Sequence, residues 1–142
     1  MHCSRWLVVS LSAWVLAIGP AAARDEWDTC NNYREQAKAI AACTRLINEG
    51  TYKPMIDVYC ARGIAYAWSH KYDLAIANFN AGLRLDPKDS ICYGQRGIAY
   101  RFKGNDTQAM ADFETAIALD PSNSTAVSQL EALLRGEKLT PR

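Results

Sequence analysis

Tyr59-Cys60-Ala61-Arg62-Gly63-Ile64-Ala65-Tyr66 returns as Tyr93-Gly94-Gln95-Arg96-Gly97-Ile98-Ala99-Tyr100, with six of the eight residues identical at an offset of 34. The offset persists downstream: Ala75 over Ala109, Phe79 over Phe113, and Leu85-Asp86-Pro87 over Leu119-Asp120-Pro121. A fixed period of this length marks a repeat architecture, in which each unit buries its apolar face only against its neighbour. Within each unit the apolar residues recur at three- and four-residue spacing, the signature of amphipathic helices. The first unit reads as a helix over Ile56–Ser69, a turn at His70-Lys71 and a helix over Tyr72–Leu85. The second reads as Ser90–Lys103, a turn at Gly104-Asn105, and Asp106–Leu119. Each unit stops where proline forbids the helix to continue, at Pro87 and Pro121. The fold class is therefore all-α: antiparallel helix-turn-helix repeats forming a short right-handed solenoid.

Outward from the two units the pattern weakens. Residues 24–55 read as a degenerate N-terminal half-unit, with a polar segment at Asp25–Asn32 and one helix over Arg34–Asn48 closed by Gly50. Residues 56–89 and 90–123 are the full units. Residues 124–135 form a capping helix whose Val127, Leu130, Leu133 and Leu134 make one stripe, with Glu131 and Arg135 placed for an ion pair. Residues 136–142 read as a flexible tail.

Residues 1–23 read as a signal peptide: Arg5, an apolar run from Trp6 to Ile18 broken only by Ser10 and Ser12, then Gly19-Pro20 and Ala21-Ala22-Ala23 as an A-x-A cleavage site. The run is short for a membrane span, which needs about 20 residues; the alternative is an uncleaved anchor. The chain is thus expected to be exported, either periplasmic or secreted. Four cysteines follow the cleavage site, and in an oxidising compartment an even number suggests disulfides. Of the three connectivities, Cys30–Cys43 would fold the N-terminal segment back along its helix, and Cys60–Cys92 would join helices stacked in register.

The 142 residues are 49% hydrophobic and carry a formal net charge of +1, enough apolar matter for one packed domain. A near-neutral chain with no basic run offers no footprint for nucleic acid and no anchor for an anionic membrane surface. Catalysis finds little material. His70 is the one histidine after the signal segment, no cysteine–histidine cluster has metal spacing, and no phosphate loop or nucleophile elbow occurs. No enzyme activity and no cofactor is expected. Asn105-Asp106-Thr107 and Asn123-Ser124-Thr125 match a glycosylation pattern and equally suit helix caps.

The repeated residues resemble the tetratricopeptide repeat family, whose unit is a 34-residue helix–turn–helix. Numbering from Ile56 and Ser90, position 8 holds Gly63 and Gly97, position 20 Ala75 and Ala109, position 24 Phe79 and Phe113, and position 32 Pro87 and Pro121. Position 7 departs from the family's leucine: it is Arg62 and Arg96, which either bind an anion or, as expected, form ion pairs with acids on neighbouring helices, Asp112 being a candidate partner. The resemblance implies a protein-interaction scaffold whose first helices line a concave groove. Its groove places here are Asp57, Cys60, Ile64, Ala67 and Trp68, then Ile91, Gly94, Ile98, Arg101 and Phe102. Trp68 and Phe102 either anchor a partner or cover the helix ends, and Arg101 either pairs with a partner's carboxylate or stays solvated. The lysine and asparagine with which some members hold a peptide's terminal carboxylate are replaced by Cys60, Ile64, Gly94 and Ile98. The expected partner is a protein or peptide; the alternative is a structural subunit that self-associates through its open ends.

Overall fold

A computed structural model describes residues 20–139, and these form seven α-helices and no strand. The helices are α1 (Pro20–Cys30), α2 (Gln36–Glu49), α3 (Met55–Trp68), α4 (Tyr72–Leu85), α5 (Ser90–Phe102), α6 (Asp106–Leu119) and α7 (Ser124–Leu134). A single 3-10 turn, Tyr33–Glu35, precedes α2. Consecutive helices pair as hairpins, α1/α2, α3/α4 and α5/α6, and each hairpin stacks on the next through its second helix. Alternate helices also touch, α1 with α3, α3 with α5 and α5 with α7, so the first helices form a continuous row.

Glycine opposite phenylalanine explains why the central hairpins close so tightly. A methyl group built on Gly63 would lie 2.6 Å from the Phe79 ring, and one on Gly97 would lie 2.6 Å from the Phe113 ring. Each ring therefore rests on the bare backbone of the facing helix, and Ala75 and Ala109 are fully buried beside it. The core is a string of three clusters, each spanning one hairpin and reaching the helix that follows. That linkage is the mechanical basis of a repeat array: each unit is completed by its neighbour.

Local chemistry sets the boundaries. Asp89, Asn105 and Asn123 each accept a backbone N–H in the first turn of α5, α6 and α7. Asn123 also donates through Nδ2 to the Ser90 carbonyl and hydroxyl, tying α7 to the start of α5. Asp86 and Asp120, forced to extended geometry by the prolines after them, end α4 and α6. Gly50 takes the left-handed conformation and returns its N–H to the Leu46 carbonyl.

The structure departs from the sequence reading at both ends of the array. The polar segment Asp25–Asn32 is helical as far as Cys30, because α1 runs from Pro20 to Cys30 and packs along α2. Residues 24–55 therefore carry two helices where half a unit was expected. Ala23, at the expected cleavage site, is buried in α1; residues 1–19 of the expected signal segment and 140–142 of the tail lie outside the described residues. At the other end, Glu137 is held rather than frayed: its N–H reaches the Ala132 carbonyl and its own carbonyl accepts from Arg101. On α7 the buried residue is Ala126, and Leu134 faces outward. No helix among the described residues is long and apolar enough to cross a membrane.

Candidate functional site

The outward side of the α3–α5 wall begins with two helices held side by side by a bond. Cys60 of α3 and Cys92 of α5 are joined by a disulfide, with Cα atoms 5.8 Å apart. Gly82 of α4 makes room for it: a Cβ there would lie 3.2 Å from the Cys60 sulfur and 3.5 Å from that of Cys92. Cys30 of α1 and Cys43 of α2 form the second disulfide, with Cα atoms 4.8 Å apart.

Residues at three- and four-residue spacing share one side of each helix. On α3 these are Asp57, Cys60, Ile64 and Trp68; on α5 they are Ile91, Ile98, Arg101 and Phe102. Trp68 is 58% exposed and Ile91 63%, large values for apolar side chains. Ile64 and Ile98 are half-buried, packed on the middle and C-terminal clusters respectively. Cys60 is buried in its disulfide and offers the surface little. Gly94 lies under α7, where its nearest side-chain neighbours are Asn123 and Ala126.

Phe102 and Trp68 occupy the same repeat place and behave differently. Phe102 stacks parallel on Tyr72 of the preceding unit, ring centroids 5.1 Å apart, and so covers the turn. Tyr72's counterpart one unit earlier is Gln36, so no ring occupies the matching place for Trp68.

Arg101 is neither solvated nor available to a partner's carboxylate. It is 6% exposed. Its Nη1 donates to the Gln129 side chain at 2.7 Å and its Nη2 to the Glu137 carbonyl. Arg101 thereby fastens α7 and the residues just beyond it to α5. Gln129, one turn into α7, is the residue that could have signalled this and was passed over.

The repeated arginines turn inward between units. Arg96 makes a two-pronged bond to Asp112, Nε to Oδ2 at 2.8 Å and Nη2 to Oδ1 at 2.6 Å, and Nη1 reaches Asn80 at 2.6 Å. These bonds to Asp112 hold the Arg96 guanidinium above its ordinary value despite burial. Arg62 finds no acid. Its Nε donates to Asn78 at 2.7 Å and its Nη1 to Thr44 at 3.0 Å, because Asn78 stands where Asp112 stands 34 residues on. The expectation of an ion pair therefore fails at Arg62. Each arginine also lies over the tyrosine three residues before it.

Asp57 is the acidic member of the face. Burial, and then the neighbouring charge of Asp89, push its carboxyl above the usual carboxylate value. Its charge in turn adds to burial in raising the phenols of Tyr33 and Tyr52. Tyr52 stacks on Trp27 of α1 at 4.7 Å. These aromatics beside Asp57 carry no repeat periodicity, and sequence reasoning did not find them.

Comparison with known proteins bears on this arrangement directly. A family model for the tetratricopeptide repeat matches residues 91–123. The second such domain of the human RPAP3 protein, solved in complex with an HSP70 peptide, SGPTIEEVD, is 30% identical, with a TM-score of 0.69, covering 79% of this chain and 94% of that one. The chain belongs to the tetratricopeptide repeat family. The Arabidopsis OM64 tetratricopeptide domain superposes with a TM-score of 0.73 at 24% identity, covering 81% of this chain and 96% of that one. The first such domain of Spaghetti (RPAP3), bound to an HSP90 peptide, SRMEEVD, gives 0.72 at 22%, covering 80% and 91%. No match among curated proteins reaches significance. In tetratricopeptide terms the row α1, α3, α5, α7 is the row of first helices. At the places where some members grip a terminal carboxylate, this chain presents a disulfide sulfur, two isoleucines and a glycine. None of these side chains donates a hydrogen bond.

Proposed function

We propose that the chain is a non-enzymatic scaffold that holds an extended peptide or a helix of a protein partner against the groove face of α3 and α5. The observation that carries this reading is the exposure of Trp68 and Ile91 on a wall that is otherwise packed and cross-linked. Large apolar side chains presented by a rigid concave surface are where binding energy concentrates. The structural likeness to domains solved with short peptides supports the same reading. The setting proposed is an exported one, periplasmic or secreted. It is supported by the apolar N-terminal run with its A-x-A site and by four cysteines paired as two disulfides. Cleavage after Ala23 would keep Trp27 and Cys30 in a shortened α1.

The test is crosslinking and pull-down from the exported fraction with wild type and Trp68→Ser/Ile91→Ser. Both side chains are more than half exposed, so the double variant keeps the fold. Loss of the specific partners from the variant is expected, and identical partner lists would remove the groove from consideration. Sequencing the N-terminus of the chain from that fraction is expected to begin at Arg24. A second reading, self-association through the open end, is favoured by Leu134, 67% exposed on the outer side of the last helix. Sedimentation at several concentrations separates the two readings: a strict monomer throughout excludes self-assembly.

A further inference from the structure

Two carboxylates on the groove face, Asp57 and Asp89, have no ion-pair partner among the described residues. Asp57 lies one turn before Cys60 on α3, and Asp89 lies one turn before Cys92 at the start of α5. The disulfide that holds Cys60 and Cys92 together therefore sets the two acids at the same end of neighbouring helices, near enough for the charge of Asp89 to act on Asp57. Among the described residues the Asp57 carboxylate has neither an ion-pair nor a hydrogen-bond partner, and the Asp89 carboxylate accepts only the helix cap from the Cys92 N–H, at 2.6 Å. Ion pairs of the array lie elsewhere: Arg96–Asp112 within the second unit, Lys103–Asp73 at the turns, Arg45–Glu26 on the first hairpin. Asp28 on α1 adds a third carboxylate near Tyr52, and Arg24, on the same helix, offsets one of the three.

We infer that the groove selects a cationic peptide segment, with a lysine or arginine side chain seated at Asp57 and Asp89 beside Tyr33 and Tyr52, and apolar side chains lying on Ile64, Ile91 and Ile98. This rests on the proposed reading of the face as a protein-binding groove and adds the chemistry of its occupant. The choice of charge follows from complementarity. Two neighbouring carboxylates repel each other, and an incoming ammonium or guanidinium relieves that repulsion while a carboxylate would worsen it. The aromatic rings beside Asp57 favour the same guest, since a cation is drawn to a ring face and an anion is not. The floor beyond them, Ile64 and Ile98 with Ile91 exposed at the rim, is apolar and suits the uncharged neighbours of the basic residue. Both acids also favour the helix ends they occupy, a local role that leaves each carboxylate without a countercharge.

The experiment is selection from a randomised dodecapeptide library displayed on phage. Three forms of the full chain, oxidised, are used: wild type, Asp57→Asn/Asp89→Asn, and Trp68→Ser/Ile91→Ser. Asparagine keeps the cap at residue 89, and thermal melting verifies each fold. Wild type is expected to enrich clones with an excess of lysine and arginine beside apolar residues. A synthetic peptide from the leading clone should bind the aspartate variant about tenfold more weakly than wild type at low salt. The Trp68/Ile91 variant should enrich none of these clones. Enrichment that is blind to charge, yet lost in the Trp68/Ile91 variant, overturns the cationic occupant and leaves the groove standing. Enrichment that survives in the Trp68/Ile91 variant, or no enrichment on wild type, overturns the groove reading and the occupant with it.

Discussion

Phe79 and Phe113 fill the α3/α4 and α5/α6 hairpins, each ring pressed on a glycine, whereas the α1/α2 hairpin is closed by the Cys30–Cys43 disulfide. An offset of 36 in place of 34 brings α2 onto α4 residue for residue, and it sets Cys30 over Tyr66, Cys43 over Phe79 and Trp27 over Gly63. The first hairpin has thus exchanged its parts: a small residue where the ring was, a large one where the glycine was, and a covalent bond across the hairpin. The lesson is that a hairpin of the array can replace ring packing with a cross-link and keep the course of its backbone.

The sharpest way to break this comparison is to delete the filling of each kind of hairpin. Phe113→Ala leaves a cavity the size of a ring in a fully buried site and is expected to cost about 3–5 kcal/mol. Cys30→Ala/Cys43→Ala opens a short loop and is expected to cost about 3 kcal/mol through the entropy of the unfolded chain. Urea unfolding followed by circular dichroism measures both. If the cysteine variant unfolds at the wild-type midpoint, the first hairpin is held by Trp27 stacked on Tyr52 and not by the bond.

The two arginines sharpen the comparison within the regular units. Arg96→Met strands Asp112, whose side chain is nearly buried, and is expected to cost about 3–5 kcal/mol. Arg62→Met strands only the neutral Asn78 and Thr44, for about 1 kcal/mol. Converting Asp112 to Asn gives the second unit the partner of the first. In that background Arg96→Met should cost no more than Arg62→Met does in wild type, and a double-mutant cycle reads the difference. Equal costs for the two arginines in the wild-type background would mean that the carboxylate contributes nothing beyond an amide.

What the sequence made legible follows from how each part is built. The two 34-residue units were readable because packing repeats: glycine meets phenylalanine twice, alanine is buried twice, and the helix bounds inferred from them fall within a residue of those observed for α3 to α6. The first hairpin was not readable as a hairpin. α1 begins at Pro20 and takes in a run of three alanines that reads equally well as a cleavage site, and its apolar contacts are the disulfide and Trp27 rather than a stripe. Arg101 misled for a different reason. It stands at a groove place by periodicity, yet its bonds go to Gln129 and Glu137, which have no counterpart in the 34-residue pattern. Periodic residues report the inside of a solenoid; ends and grooves are set by contacts that occur once.

Asp57 gives the smallest effect and separates the two duties an acid can have at a helix start. Its folded carboxyl titrates above the ordinary value of 3.8, chiefly through burial and then through Asp89. Between 3.8 and the raised value the folded chain binds more protons than the unfolded one, so stability falls as pH rises through that window and stays lower above it. Asp57→Asn removes the penalty. The variant should melt slightly higher than wild type at neutral pH, and the gap should close as the pH is lowered to 3.8. A bound basic peptide should reverse the order at neutral pH, since it stabilises the form with the charge in place. A variant that instead melts lower at neutral pH without peptide would show that Asp57 serves the α3 N-terminus more than it strains against Asp89, and the uncompensated charge that marks the groove for a cation would lose its support.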